Sequence, residues 1–296
     1  MRSGNICRAE FRAAQVLKAL GIGSLPIDPF WIAESRSIEH KADPTLDFGI
    51  SGCLMKVGDV FGILYSTRFS GEGFRRFTVA HELGHYFLEG HAQHLFGKGQ
   101  VLHWSGTGFS SDDEYEREAD CFAAGLLMPR HLFDPACGRV GLGLKAIESL
   151  ADLCKVSLTA AAIRYATCTG DSVAVICSMD NRIQFAFMSK TLKERRDLTW
   201  LRKGGGIPRA TATRNFSEDP RNVLTGKRVT SMSTLELWFD GGGDAELNEE
   251  VAGLGGYGRV LTVLSSDSLP DPDETQEGEE EESENRLPSQ RWRERG

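Results

Sequence analysis

No stretch of this 296-residue chain approaches the roughly 18 consecutive apolar residues that a membrane-spanning helix needs. The first twenty residues, MRSGNICRAEFRAAQVLKAL, carry charges throughout and lack the apolar centre of an export signal. Paired cysteines are missing as well. The seven present (Cys7, Cys53, Cys121, Cys137, Cys154, Cys168 and Cys177) are odd in number and contain no CxxC, which speaks against a disulfide frame or a cysteine-held zinc. These absences predict a cytoplasmic protein with reduced thiols. An excess of basic charge is also lacking: the formal net charge is −8, and ten acidic residues with no Lys or Arg fall between Asp267 and Asn285. The rest of the chain is therefore close to neutral, which gives no footprint for direct nucleic-acid binding. No internal repeat is visible.

A hydrophobic content of 40% over this length suffices for a sizeable core. Residues 8–20 place Phe11, Ala14, Val16, Leu17 and Leu20 at helical spacing, ended by Gly21 and Gly23, and a short helix is expected from Pro29. SGCLMKVGDVFGILYS reads as a hairpin turning at Gly58 and Asp59. A helix follows from about Gly73 to Leu88, then a connection of about 30 residues read as a lid, then a helix from Ser111 or Asp112 to Pro129. Residues 143–168 read as two helices separated near Lys155–Ser157, and after Gly170 strands begin around an Asp-Asn turn. The expected organisation is a domain over residues 1–168, a β-rich accessory domain over 169–266 and a disordered acidic tail over 267–296.

The chemistry concentrates in RFTVAHELGHYFLEG, residues 76–90. On a helix, positions four apart lie one turn above each other, so His81 and His85 can converge on one metal ion with Glu82 beside them. Phe77, Val79, Ala80, Leu83, Phe87 and Leu88 make the helix apolar on most sides, which implies burial. Burying two imidazoles and a carboxylate is expensive unless they are paired or hold a cation. The small residues Ala80 and Gly84 suggest that another element approaches closely.

A catalytic zinc takes three protein ligands and keeps one position open. On the next helix Glu116, Asp120, Ala123 and Leu127 share a face, so Glu116 can be the third ligand and Asp120 can hydrogen bond a ligand imidazole from behind. Glu118 is the rival ligand, but it lies about 200° around the helix from Glu116. The chemistry expected of such a site is amide hydrolysis, with zinc acidifying a water and polarising the carbonyl, and Glu82 relaying the proton to the leaving amine. Tyr65, Tyr86, Tyr115, His91, His94 and His103 are candidates for the oxyanion donor by type alone. An extended substrate is expected to add a strand to the hairpin between Gly52 and Ser66.

The combination resembles the ImmA/IrrE family of metallopeptidases. The matching pieces are Ser24–Ser35 (SLPIDPFWIAES), Arg75–His85 (RRFTVAHELGH), Glu116–Pro129 (EREADCFAAGLLMP) and Leu150–Ala166 (LADLCKVSLTAAAIRYA). The resemblance implies an α+β, gluzincin-like zinc peptidase fold, helices on a small antiparallel sheet, with His81, His85 and Glu116 on one Zn2+ and Glu82 as the catalytic carboxylate. It further implies a protein substrate, a helix-turn-helix repressor or antitoxin whose cleavage relieves repression in stress responses or toxin-antitoxin pairs. Residues 170–296 lie beyond the resemblance. Two other readings compete. Leu150–Ala166 has the length and turn of a DNA-binding helix-turn-helix, with Arg164 as the base of its second helix. Alternatively the chain is a metal-binding regulatory partner that holds its target without cutting it.

Overall fold

The computed structural model describes residues 2–47, 49–68, 71–97, 99–106 and 113–269. In chain order its elements are α1 (Arg2–Ala19), α2 (Pro29–Glu34), β1 (Glu39–Asp43), β2 (Ile50–Val57), β3 (Val60–Ser66), α3 (Glu72–Phe87), α4 (His91–Phe96), β4 (Leu102–Gly106), α5 (Glu114–Leu127), α6 (Arg130–Val140), α7 (Leu144–Cys154) and α8 (Leu158–Cys168). They continue with β5 (Ser172–Met179), β6 (Arg182–Met188), α9 (Lys190–Glu194), α10 (Ala212–Ser217), α11 (Pro220–Leu224), β7 (Arg228–Thr234), α12 (Leu235–Phe239), β8 (Glu246–Gly253) and β9 (Val260–Ser266). The fold is mixed α+β. Two compact units emerge: one runs to Gly141 and includes Lys145–Cys168, and the other comprises Leu142–Leu144 and the described chain from Thr169. From residue 270 onward the expected acidic tail lies outside the described residues.

In the first unit the sheet order is β1-β3-β2-β4. The sheet is mixed where an antiparallel one was expected, because β1 pairs in parallel with β3 while β2 pairs antiparallel with both β3 and β4. The hairpin turns at Gly58, whose φ of +61° suits a residue without a Cβ. Its two strands are both interior, so neither offers a free edge. The long connection after α3 explains this: it is no lid over its whole length, since it forms α4 and then the edge strand β4. Residues 107–112 of that connection lie outside the described residues.

Close approach positions the helices. A Cβ added at Gly84 would lie 3.1 Å from the Cα of Ala119, so α3 and α5 cross backbone to backbone at that point. One at Gly52 would lie 2.5 Å from the Thr78 side chain and 3.0 Å from Glu82 Oε1, which seats β2 directly against α3. Leu17, Leu54, Ile63, Leu83, Phe122 and Leu126 are fully buried around these crossings, each worth about 1.5–3 kcal/mol of burial. Asp113 caps α5 by accepting from the Tyr115 N–H at 2.8 Å. The helix thus starts at Glu114, slightly later than the spacing suggested. Arg164 of α8, the base a helix-turn-helix reading would offer to phosphate, is buried, donates to the Met128 carbonyl at 3.0 Å and pairs with Glu10.

The second unit is built on a five-stranded antiparallel sheet of order β6-β5-β9-β8-β7. Asp180 and Asn181, at φ 51° and 58°, make the two-residue hairpin turn between β5 and β6. Every residue of β9, the middle strand, is buried. Ile176, Met188, Trp238, Phe239, Leu247 and Leu264 belong to the core that joins this sheet to α12. On the same sheet Glu249 is fully buried, one carboxylate oxygen accepting from the Thr213 N–H at 2.6 Å and from its hydroxyl at 2.7 Å.

Candidate metal centre

Helix α3 presents His81 and His85 on one face because they are a turn apart, and α5 brings Glu116 opposite them because Ala119 rests on Gly84. The three residues offer ligand atoms that all lie within 4.8 Å of one another. His81 Nε2 is 3.1 Å from His85 Nε2, and each is 3.3 Å from an oxygen of Glu116. Two atoms bound about 2.0–2.1 Å from one tetrahedral ion lie roughly 3.3 Å apart, a spacing close to these contacts, although His81 meets Oε2 of Glu116 and His85 meets Oε1.

Hydrogen bonding behind the rings decides what faces inward. His81 Nδ1 sits 2.9 Å from Asp120 Oδ1, and since a carboxylate only accepts, Nδ1 carries the hydrogen. In the neutral ring Nε2 is then a bare lone pair. His85 Nδ1 lies 3.0 Å from His91 Nδ1, and His91 Nε2 lies 3.1 Å from Glu118 Oε2. Burial holds His91 below the usual imidazole range, against the pull of Glu118. Because the Glu118 carboxylate only accepts, His91 carries a hydrogen on Nε2, and in that neutral tautomer its Nδ1 is the acceptor for the His85 Nδ1–H. Both ligand imidazoles thereby turn lone pairs towards each other and towards Glu116, an arrangement that repels itself unless a proton or a cation stands between them.

Protons alone resolve the conflict by charging one ring. Burial works against charge on His81, yet hydrogen bonds to Asp120 and Glu116 raise it to about 10. His85, buried and beside His81, falls to about 3. Burial pushes Glu116 up, but His103, His81 and His85 together hold it far below the carboxylate range. The donor set fits a divalent cation: two imidazole nitrogens, a carboxylate, and outer partners that fix their orientation.

Glu82 is completely buried; neither of its oxygens meets a partner with full hydrogen-bond geometry, but the Ser105 hydroxyl lies close enough to pull its pKa down. Burial raises it to about 7, with His81 the main opposing influence. Every residue expected at the site is thus gathered there: His81, His85 and Glu116 converge, Asp120 stands behind His81, and Glu82 stands next to His81 on α3.

The oxyanion candidates separate. His103, on β4, reaches Glu116 Oε1 at 2.9 Å. Tyr65 packs near Phe30 and His40, Tyr86 packs on Phe61, and Tyr115 is stacked on His94 at 3.9 Å. His91 is behind His85, not in front of it. Glu118 turns away from the ligand cluster as its helical position required, but its destination, His91, was not foreseen. The signal lay in Gly90: its φ of +85° bends the chain back so that His91, at the start of α4, returns under the helix it has just left.

A histidine pair at this spacing, an opposing glutamate from a second helix and a buried carboxylate form a cluster that could hold a metal ion, in the HExxH pattern. Residues 62–165 match the family model described as Peptidase_M78, the IrrE N-terminal-like domain. The match takes in both motif helices, whereas Ser24–Ser35 falls outside it. Nothing among curated proteins matches the chain. A solved structure described as a Mycobacterium tuberculosis transcriptional regulator aligns with a TM-score of 0.56 at 14% identity, covering 90% of this chain and 81% of its own. That likeness is one of fold. Among the described residues no helix is long and apolar enough to cross a membrane.

Proposed function

We propose that this chain is a zinc-dependent endopeptidase that hydrolyses a peptide bond in a protein partner, a helix-turn-helix repressor or antitoxin, and so relieves repression. The observation that carries the reading is that two imidazole nitrogens 3.1 Å apart, each 3.3 Å from an oxygen of Glu116, converge beside a fully buried carboxylate next to them in sequence. His81, His85 and Glu116 would hold the ion. When bound, zinc supplies Lewis acidity, which acidifies a water and polarises a carbonyl.

The chain's own groups do the remaining work. Glu82, raised to about 7 by burial, is poised to take a proton from water at one carboxylate oxygen and hand it to the departing amine. Asp120 keeps the His81 ring from rotating, and His103 keeps Glu116 turned inward. Substrate would enter as an extended strand along β4, the sheet edge that carries His103, and not along the interior hairpin. The second unit would select the partner or sense a signal.

The test is comparative proteomics of new N-termini after incubating a cell lysate with the zinc-loaded full chain and, in parallel, with Glu82→Gln. Cleavage products that appear only with the native chain support the reading. Equal products from both would remove Glu82 from the chemistry, and zinc retention without products from either would favour a partner that binds and does not cut.

A further inference from the structure

We infer that His91 and Glu118 are positioning residues that set the tautomer and angle of His85, so that its bare Nε2 faces His81 and Glu116. The inference rests on the metal reading above and assigns a task to two side chains that reading leaves idle.

The geometry is a relay out of the site: His85 Nδ1 to His91 Nδ1 at 3.0 Å, then His91 Nε2 to Glu118 Oε2 at 3.1 Å. His85 and His91 are both completely buried, so water cannot replace the bond between them, while Glu118 is partly exposed. Ligating imidazoles generally donate their outer N–H to a carboxylate or carbonyl, and losing that partner loosens metal binding. His81 follows that pattern directly, through Asp120. Behind His85, among the described residues, no carboxylate hydrogen bonds to Nδ1, and a second imidazole bridges the gap. Because Glu118 lies about 200° around α5 from Glu116, one helix grips His85 from both sides, Glu116 in front and Glu118 through His91 behind.

The bridging ring is itself clamped. Tyr115 meets it edge-on at 5.0 Å and 76°, and His94 in turn stacks on that tyrosine at 3.9 Å and 11°. His91 is not an alternative ligand, since the nitrogen it turns towards the site is spent on His85 Nδ1 and its other nitrogen points away at Glu118.

The decisive experiment is a zinc titration of the purified full chain against a chromophoric chelator, made for the native protein, His91→Leu, His91→Gln and Glu118→Gln. It is accompanied by the thermal midpoint of each metal-free form and by the imidazole N–H region of the NMR spectrum. His91→Leu removes the acceptor and is expected to weaken zinc binding about 10–100-fold. It also abolishes the slowly exchanging His85 Nδ1–H resonance. His91→Gln offers an amide oxygen in the same place and recovers much of that affinity, and Glu118→Gln falls between the two. A role confined to packing would shift the metal-free midpoint but leave zinc affinity and the resonance alone, and that result would overturn the inference. Should His91→Leu not fold, native-like affinity in Glu118→Gln would do the same. Failure of the native chain to bind zinc would instead sink the metal reading itself.

Discussion

The two units bury ionisable groups in opposite ways. In the first, His81, Glu82, His85 and His91 are buried within a few turns of helix, with Glu116, Glu118 and Asp120 facing them, and their hydrogen bonds form a set that converges on one point. In the second, Glu249 lies alone beneath α10, and its partners are the neutral N–H and hydroxyl of Thr213, which in turn meets the Thr262 hydroxyl at 2.7 Å. One of its oxygens has no partner at all. A buried carboxylate by itself therefore signals little, because local hydroxyls can satisfy most of it. What marks a centre of chemistry is several buried groups whose free lone pairs point inward together.

That contrast can be broken at several strengths. The largest effect belongs to Glu116→Ala, which is expected to abolish stoichiometric zinc in metal analysis, whereas Glu249→Leu leaves zinc content unchanged. Next, Glu82→Gln keeps the metal and lowers proteolysis by about 10²–10⁴-fold or more, read as product formed per unit of zinc-loaded protein. Asp120→Asn should weaken zinc binding about 10–100-fold in the same chelator titration, by turning His81 away from its preferred tautomer. Gly84→Val forces a branched side chain against Ala119 and is expected to lower stability by about 1–3 kcal/mol in denaturant unfolding, with zinc affinity falling alongside. Smallest is Glu249→Leu in stability: about 1–3 kcal/mol for the unpaired Thr213 donors, partly repaid by the apolar side chain.

The sequence was informative where a residue's role is fixed by its neighbours along one element. The i, i+4 histidines, the shared face of Glu116 and Asp120, the Asp180-Asn181 turn and the hairpin at Gly58 all depend on helical or strand periodicity, which can be read locally. It was silent where a role depends on chain reversal or on what lies across a sheet. Strand β4 has only five residues, no run of β-branched side chains and an exposed Leu102 and Trp104, so nothing in LHWSG announces that it will pair with β2. His103 inherits its contact with Glu116 from that pairing. His91 belongs with His85 only because Gly90 turns left-handed, and Glu118 becomes meaningful only once His91 is there. The parallel pairing of β1 with β3 is likewise a matter of topology, since EHKAD carries no apolar alternation to declare it.

One consequence follows from the missing side chain at position 84. Glu116 and Glu118 are chemically identical and only two positions apart, so charge cannot tell the helix which of them to send to the front of His85 and which to the back. The choice is made mechanically, by the notch at Gly84 into which Ala119 drops, and that notch acts as an index pin that locks α5 at one rotation. On the proposed metal reading, the choice of ligand is thus encoded in the absence of a methyl group on the neighbouring helix.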